Sequence, residues 1–172
     1  MKQNGSICLL CVDGTDCRVN NPGRFWTGWF SHKFKKAGLR YEVANCIQTG
    51  WICWVKGPFA AGAWPDISIF RGWLKKELLP GELIEADAGY RGDEKVRAPE
   101  DCTTLGDYEM KFNARARQET ANERLKNFKV LATDFRHDLS KHEDCFFACA
   151  VITQLNLQTV EPLFGIDYRI YN

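Results

Sequence analysis

The chain has 172 residues, of which 45% are hydrophobic and 13% aromatic, so it can bury the core of one domain and is too apolar to be disordered. Its net charge of +1 excludes a uniformly basic nucleic-acid coat but allows a local basic surface. The early apolar run Ile7–Val12 is too short to span a membrane and has no secretory cleavage pattern. We therefore expect an intracellular protein without membrane contact, whose eight cysteines are mostly reduced thiols.

The first half of the chain is predicted to contain three strands. Ile7–Val12 is continuously apolar, which is typical of a strand buried on both faces, and the turn-forming residues Asp13 to Asp16 are expected to end it. Arg18–Phe30, rich in Asn, Pro, Gly and Trp, is predicted to be a loop. Phe34–Ile47 and Trp51–Val55 then read as the two strands of a hairpin.

The second half is predicted to be mainly helical. Asp66 is expected to cap a helix that runs to Leu79, and a short strand at Leu83–Ala86 follows. Two further helices are predicted at Tyr108–Leu131 and His142–Leu155. The order of three strands, helix, strand, helix, helix indicates one mixed α/β domain whose early strands are antiparallel.

The long predicted helix carries a polar stripe beside an apolar one. Five residues at steps of three and four share one face: Phe112, Arg115, Glu119, Asn122 and Lys126. The neighbouring stripe is apolar and is expected to face the core: Ala114, Ala121, Leu125, Phe128 and Ala132. This arrangement favours a helix that holds a carboxylate and cations near a phosphate backbone.

Three carboxylates are predicted to meet at one edge of the sheet. Asp13 follows the first strand and Asp87 the fourth, and if these strands are parallel neighbours their side chains emerge side by side. The long helix can bring Glu119 over the same edge. Carboxylates without His or Cys suit Mg²⁺ or Mn²⁺, and two such ions about 3.5–4 Å apart would support in-line phosphoryl displacement.

Other acids remain alternatives at this stage. Asp13 by itself is also explained as a turn residue, and Asp16 is a rival first acid that lies further into the turn. Asp66 is better explained as a helix cap. Glu123, four residues after Glu119 on a similar face, is the second choice for the third acid.

Several separated motifs occur in a fixed order along the chain: Val12-Asp13-Gly14-Thr15, His32-Lys33-Phe34-Lys35 with Tyr41-Glu42, Gly57-Pro58-Phe59 with Asp66, and Ala86-Asp87-Ala88-Gly89-Tyr90. Together they resemble the catalytic domain of DDE transposases, most closely the PIF/Harbinger-type DDE superfamily endonucleases. Arg115, Glu119 and Lys126 resemble the Y-x₂-R-x₃-E-x₆-K signature of related insertion-sequence transposases, with Phe112 in place of its Tyr. The resemblance covers about Val12 to Phe164.

The resemblance implies an RNase H-like fold for the single domain 1–172, in which three antiparallel strands and a parallel strand are flanked by helices. It implies that Asp13, Asp87 and Glu119 form a metal-binding catalytic triad. The activity would be hydrolytic nicking at transposon ends, followed by attack of the freed 3′-OH on target DNA. Arg115 and Lys126 would then contact DNA, and we expect further DNA contacts from three polar residues of the same basic surfaces: Asn122, Lys33 and Lys35.

One departure from the resemblance leaves a second function open. Complete transposases of this kind usually carry an upstream helix-turn-helix, and here an N-terminal DNA-binding domain is expected to be absent. The alternative is a truncated or domesticated module that binds DNA or protein without catalysis. Recognition would come from a separate DNA-binding partner; a homodimer is possible, and a nuclear location is expected if the host is eukaryotic.

Overall fold

The computed structural model describes residues 7–20, 23 and 26–168, and within them a mixed sheet lies between helices. Its strands are β1 Ile7–Arg18, β2 Phe30–Ser31, β3 Lys36–Cys46, β4 Ile52–Ala60, β5 Glu82–Glu85 and β6 Val96–Arg97. Its helices are α1 Asp66–Gly72, α2 Leu74–Glu77, α3 Leu105–Leu125, α4 Lys129–Ala132 and α5 His142–Thr159. None of the described helices is long and apolar enough to cross a bilayer.

The central strand of the sheet, β1, has an antiparallel neighbour on one side and a parallel neighbour on the other. It pairs with β3 from Leu10↔Cys46 to Arg18↔Gly38, and with β5 from Ile7↔Glu82 to Cys11↔Glu85. β4 and β2 pair antiparallel with β3, and β6 lies parallel beyond β5. The mixed sheet predicted from the chain order is therefore confirmed.

The first strand is longer than its sequence suggests, and the predicted turn after Val12 is wrong. β1 continues through Asp13 and Asp16 because β3 pairs with it from Leu10 to Arg18. The buried Asp16 carboxylate accepts hydrogen bonds from Ser31 Oγ at 2.6 Å and Arg40 Nε at 2.7 Å. These long-range partners replace the water that a turn would have offered.

The loop and hairpin predictions were partly right. The hairpin is confirmed, although β4 extends past Pro58 to Ala60. Within the predicted loop Arg18–Phe30, residues 21, 22, 24 and 25 lie outside the described residues, and Thr27–Trp29 form a 3₁₀ turn.

The helices also differ from the sequence prediction. The predicted helix from Asp66 to Leu79 breaks at Trp73 into α1 and α2, and Pro65, not Asp66, occupies its N-cap. α3 starts after the N-cap Thr104, whose Oγ1 accepts from the Asp107 N–H at 3.1 Å. It ends at Leu125, and the chain becomes extended at Phe128 before α4 begins. The predicted continuous helix to Leu131 is therefore interrupted.

Helices cover both faces of the sheet. Because side chains alternate along β1, successive residues of this strand pack on opposite faces. On one face Val12 packs with Phe70 of α1, and with Ile84 and Tyr90. On the other, Cys11 packs with Ala114 of α3, and Cys17 with Leu125 and with Phe146 of α5. Asp13 has the same parity as Cys11 and therefore points towards α3.

Candidate active site

Asp13 lies within β1, and Asp87 lies at the same level just beyond the end of the parallel strand β5. The last pair between β1 and β5 is Cys11↔Glu85, and each aspartate comes two residues after its strand's member of that pair. Asp13 faces α3, and the charge of Asp87 is near enough to act on it. Asp87 begins a 3₁₀ turn, where its Oδ1 accepts from the Gly89 N–H at 2.8 Å.

The charge on Asp13 is poorly compensated. Burial, followed by the nearby charges of Asp87 and Asp66, raises the pKa of its carboxyl to about 6, although the Gly14 N–H and Lys33 oppose the shift. A carboxylate that resists ionisation beside two other carboxylates marks a place where a bound cation would relieve repulsion.

Asn122 is the α3 residue that contacts Asp13. Its Nδ2 donates to Asp13 Oδ2 at 2.9 Å. The side chain is buried, and its Oδ1 has no hydrogen-bond partner among the described residues. The DNA contact expected of Asn122 from the sequence stays a prediction; the structure shows that Asn122 orients a carboxylate.

Glu119 lies one turn before Asn122 on the outer flank of α3. Its side chain is 66% exposed, and the nearest cation is Arg115, whose Nη2 is 4.0 Å from Glu119 Oε1. Lys111, two turns earlier, binds Glu85 and the carbonyl of Arg97, so that part of α3 lies over β5 and β6. The rival acid Glu123 is also exposed.

Two of the predicted DNA-binding lysines lie close to the acids. Lys33 is among the charges that act on Asp13, and burial together with Lys33 lowers the pKa of Lys126. The Lys126 ammonium lies 5.8 Å from the centre of the Phe34 ring. Lys35 is exposed in the turn between β2 and β3, with a left-handed φ of 57°.

A family model described as DDE superfamily endonuclease matches residues 12–154. The chain belongs to this family. The match includes Asp13, Asp87 and Glu119, and the sheet described above is its RNase H-like fold. Membership suggests a nuclease or transposase function acting on DNA. Searches of curated proteins and of solved structures give no significant match.

The acids of this DDE endonuclease domain suit the divalent metal ions that nucleases of the family use. Asp13 and Asp87 provide only hard oxygen donors, and the unpartnered Asn122 Oδ1 adds another oxygen beside them. Within residues 7–20, 23 and 26–168, no group of three or more His, Cys, Asp or Glu side chains is arranged to hold a metal ion. The structure thus assembles two of the three predicted acids, and Glu119 stands apart on its helix.

Asp66 is a neighbour of the site that sequence reasoning assigned to helix capping. Its carboxylate fills the space beside two glycines: a Cβ on Gly14 would lie 2.2 Å from Asp66 Oδ1, and one on Gly89 3.2 Å from Oδ2. Arg40 holds it with Nη1 at 3.3 Å from Oδ1. The sequence signal that could have pointed to Asp66 is a pair of glycines that leave room for its side chain. Gly14 directly follows Asp13, and Gly89 comes two residues after Asp87.

Proposed function

We propose that this domain is a metal-dependent DNA endonuclease, the core of a transposase, that cleaves phosphodiesters at transposon ends. Asp13, Asp87 and Glu119 would hold Mg²⁺ or Mn²⁺, as two ions. The observation that carries this proposal is the level placement of Asp13 and Asp87, with the pKa of Asp13 raised by burial and by neighbouring carboxylates.

Each group around the acids has a role in this proposal. When bound, the metal ions supply an activated water and stabilise the leaving oxygen. Asn122 fixes the orientation of the Asp13 carboxylate through its amide hydrogen bond. Lys33 and Lys126 lie near Asp13 and would pair with phosphates, with Lys35 exposed in the adjacent turn.

Glu119 and Arg115 would act from the other side of α3. Lys111, one turn before Arg115, binds Glu85 of β5, the strand that leads to Asp87. The Glu119 side chain is mostly exposed, and its ion pair with Arg115 is long, so rotation towards a bound cation costs little. Arg115 would then be released to hold a phosphate.

Mn²⁺-dependent nicking of supercoiled DNA by the purified protein tests the proposal. We expect Asp87→Asn to lower the nicking rate by more than about 100-fold, since even outer-shell partners of metal sites cost up to that factor. Glu119→Gln should behave alike, whereas the matched control Glu123→Gln should keep activity within about twofold. Calorimetry with Mn²⁺ alone should show binding to the wild type and its loss in Asp87→Asn.

Unchanged nicking by Asp87→Asn would refute the proposed chemistry. Loss of activity in Glu123→Gln with retention in Glu119→Gln would instead exchange the two candidates for the third acid. Circular dichroism of each variant checks that the fold survives.

The second candidate function is a transposase-derived module that binds DNA or protein without cleaving. It is favoured by the separation of Glu119 from the two aspartates in the described structure. Such a module would bind DNA in EDTA with an affinity that falls steeply with salt. A separate DNA-binding protein would then supply sequence recognition. Robust metal-dependent cleavage by the purified wild type excludes this candidate.

A further inference from the structure

The first half of α3 exposes a row of large apolar side chains that leads to Glu119. Leu105, Tyr108 and Phe112 are 77%, 57% and 65% exposed. They follow one another at steps of three and four residues, and the same steps continue the row to Arg115 and Glu119. Exposed aromatic side chains that adjoin a proposed active site call for a binding partner.

A small cavity lies along this row. It has a volume of about 140 Å³ and is lined by Pro99, Tyr108, Lys111, Phe112, Arg115, Ala116 and Glu119. Sites that enclose a drug-sized ligand measure about 300–1,000 Å³, so this one suits a single ring system. The Lys111 ammonium is bound to Glu85 and the Arg97 carbonyl, whereas the Arg115 guanidinium, 4.0 Å from the Glu119 carboxylate, can turn to meet a negative charge.

We propose that Tyr108 and Phe112 form a stacking site for one unpaired base of a DNA strand, with Arg115 on its phosphate. This inference rests on the proposed function and specifies the DNA end that the site receives. Stacking on an aromatic side chain accepts any base, because every base has a π face. A blunt duplex exposes only the outer face of a whole base pair, which is too large for a cavity of this volume, so the site distinguishes an end with a single-stranded overhang.

The chemistry of the row favours a nucleotide over a second protein copy. On α5 the exposed row consists of Phe147, Val151 and Leu155. It combines one aromatic ring with aliphatic side chains and carries no charge, as the core of a protein interface does. On α3 two aromatic rings adjoin a cation within one cavity. A nucleotide joins a flat base to a phosphate, so its base would stack on the rings while its phosphate pairs with the cation.

Fluorescence anisotropy in EDTA tests the proposal on two DNA ligands, a blunt duplex and the same duplex with a three-nucleotide overhang. We expect Phe112→Ala to weaken overhang binding between about fivefold and 150-fold, the range that corresponds to about 1–3 kcal/mol per stacked base. Blunt-duplex binding should change less than twofold. Phe112→Trp should retain the preference, and the matched control Phe147→Ala, an exposed Phe on α5, should leave both affinities unchanged.

A 2-aminopurine in the overhang gives an independent signal, because its fluorescence is quenched when it stacks. Quenching by the wild type and its loss in Phe112→Ala support the site. Equal losses on both ligands, no loss on either, or a change of oligomeric mass in Phe112→Ala would overturn it. The nuclease proposal fails separately: Phe112-dependent overhang binding without Mn²⁺-dependent nicking refutes only the nuclease, and nicking with an unaffected overhang preference refutes only the stacking site.

Discussion

Replacing Asp13 by Asn should stabilise the metal-free protein at neutral pH. Burial and the nearby charges of Asp87 and Asp66 together raise the pKa of the Asp13 carboxyl from 3.8 to about 6. Asn has nearly the same shape, carries no charge, and still accepts the hydrogen bond that Asn122 donates. The substitution therefore removes the repulsion and leaves the packing in place.

The size of the effect follows from the pKa shift and depends on pH. A carboxyl whose pKa is raised by folding binds protons more tightly in the folded state, so stability falls as the pH rises from 3.8 towards 6. At about 1.4 kcal/mol per pKa unit, the wild type loses about 3 kcal/mol by pH 7.5 and about 1 kcal/mol by pH 4.5. Asp13→Asn should regain those amounts at the two pH values.

Urea denaturation in EDTA at pH 4.5 and pH 7.5 measures both gains. The exposed acid Glu123 supplies the control, since Glu123→Gln should change the free energy of unfolding by less than about 0.5 kcal/mol at either pH. Added Mn²⁺ should stabilise the wild type by mass action and leave Asp13→Asn unaffected. A variant that is less stable than the wild type at pH 7.5, or whose gain is equal at both pH values, would refute the electrostatic reasoning.

Two further predictions concern the supports of the site. Gly14→Ala should lower the free energy of unfolding, measured by urea denaturation, by about 1–3 kcal/mol, because its Cβ would lie 2.2 Å from the Asp66 carboxylate. The control Gly72→Ala, whose Cβ would have nothing within 4 Å, should be neutral or stabilising. Equal effects of the two substitutions would contradict the contact. Lys111→Met should cost about 3 kcal/mol by leaving the buried Glu85 with Arg97 and Tyr168 alone, and adding Glu85→Gln should recover part of that loss in the same assay. Additive losses in the double variant would show that the two residues are not coupled.

The elements that could be predicted are those whose signals are local. The hairpin of β3 and β4 follows from two apolar runs around Gln48–Gly50, and Asp87 does follow a short strand, β5. Ala114, Ala121 and Leu125 are buried as their helical spacing indicates. Each of these patterns is complete within a few residues.

The length of β1 could not be predicted, because its evidence is distant in sequence. Thr15 and Asp16 are turn formers by composition, and only the pairing with β3 keeps them in a strand. The Asp16 charge is met by Arg40, 24 residues later. The parallel pairing of β1 and β5, from which the level placement of Asp13 and Asp87 was inferred, is confirmed, even though Asp13 lies within its strand and does not end it.

The inner face of α3 is polar, and its hydrogen bonds to the sheet position the residues of the candidate site. Arg117 Nη1 donates to the Ile47 carbonyl at 2.8 Å, and Gln118 Nε2 to the Val43 carbonyl at 3.1 Å. Apolar contacts alone allow a helix to turn or slide on a sheet, whereas directional hydrogen bonds to fixed carbonyls set its rotation. With Gln118 held over β3, Asn122, one turn later, reaches Asp13 on β1, while Glu119 lies on an exposed flank of the helix. The hydrogen bonds of Arg117 and Gln118 to the sheet therefore fix the rotation of α3 that brings Asn122 to Asp13.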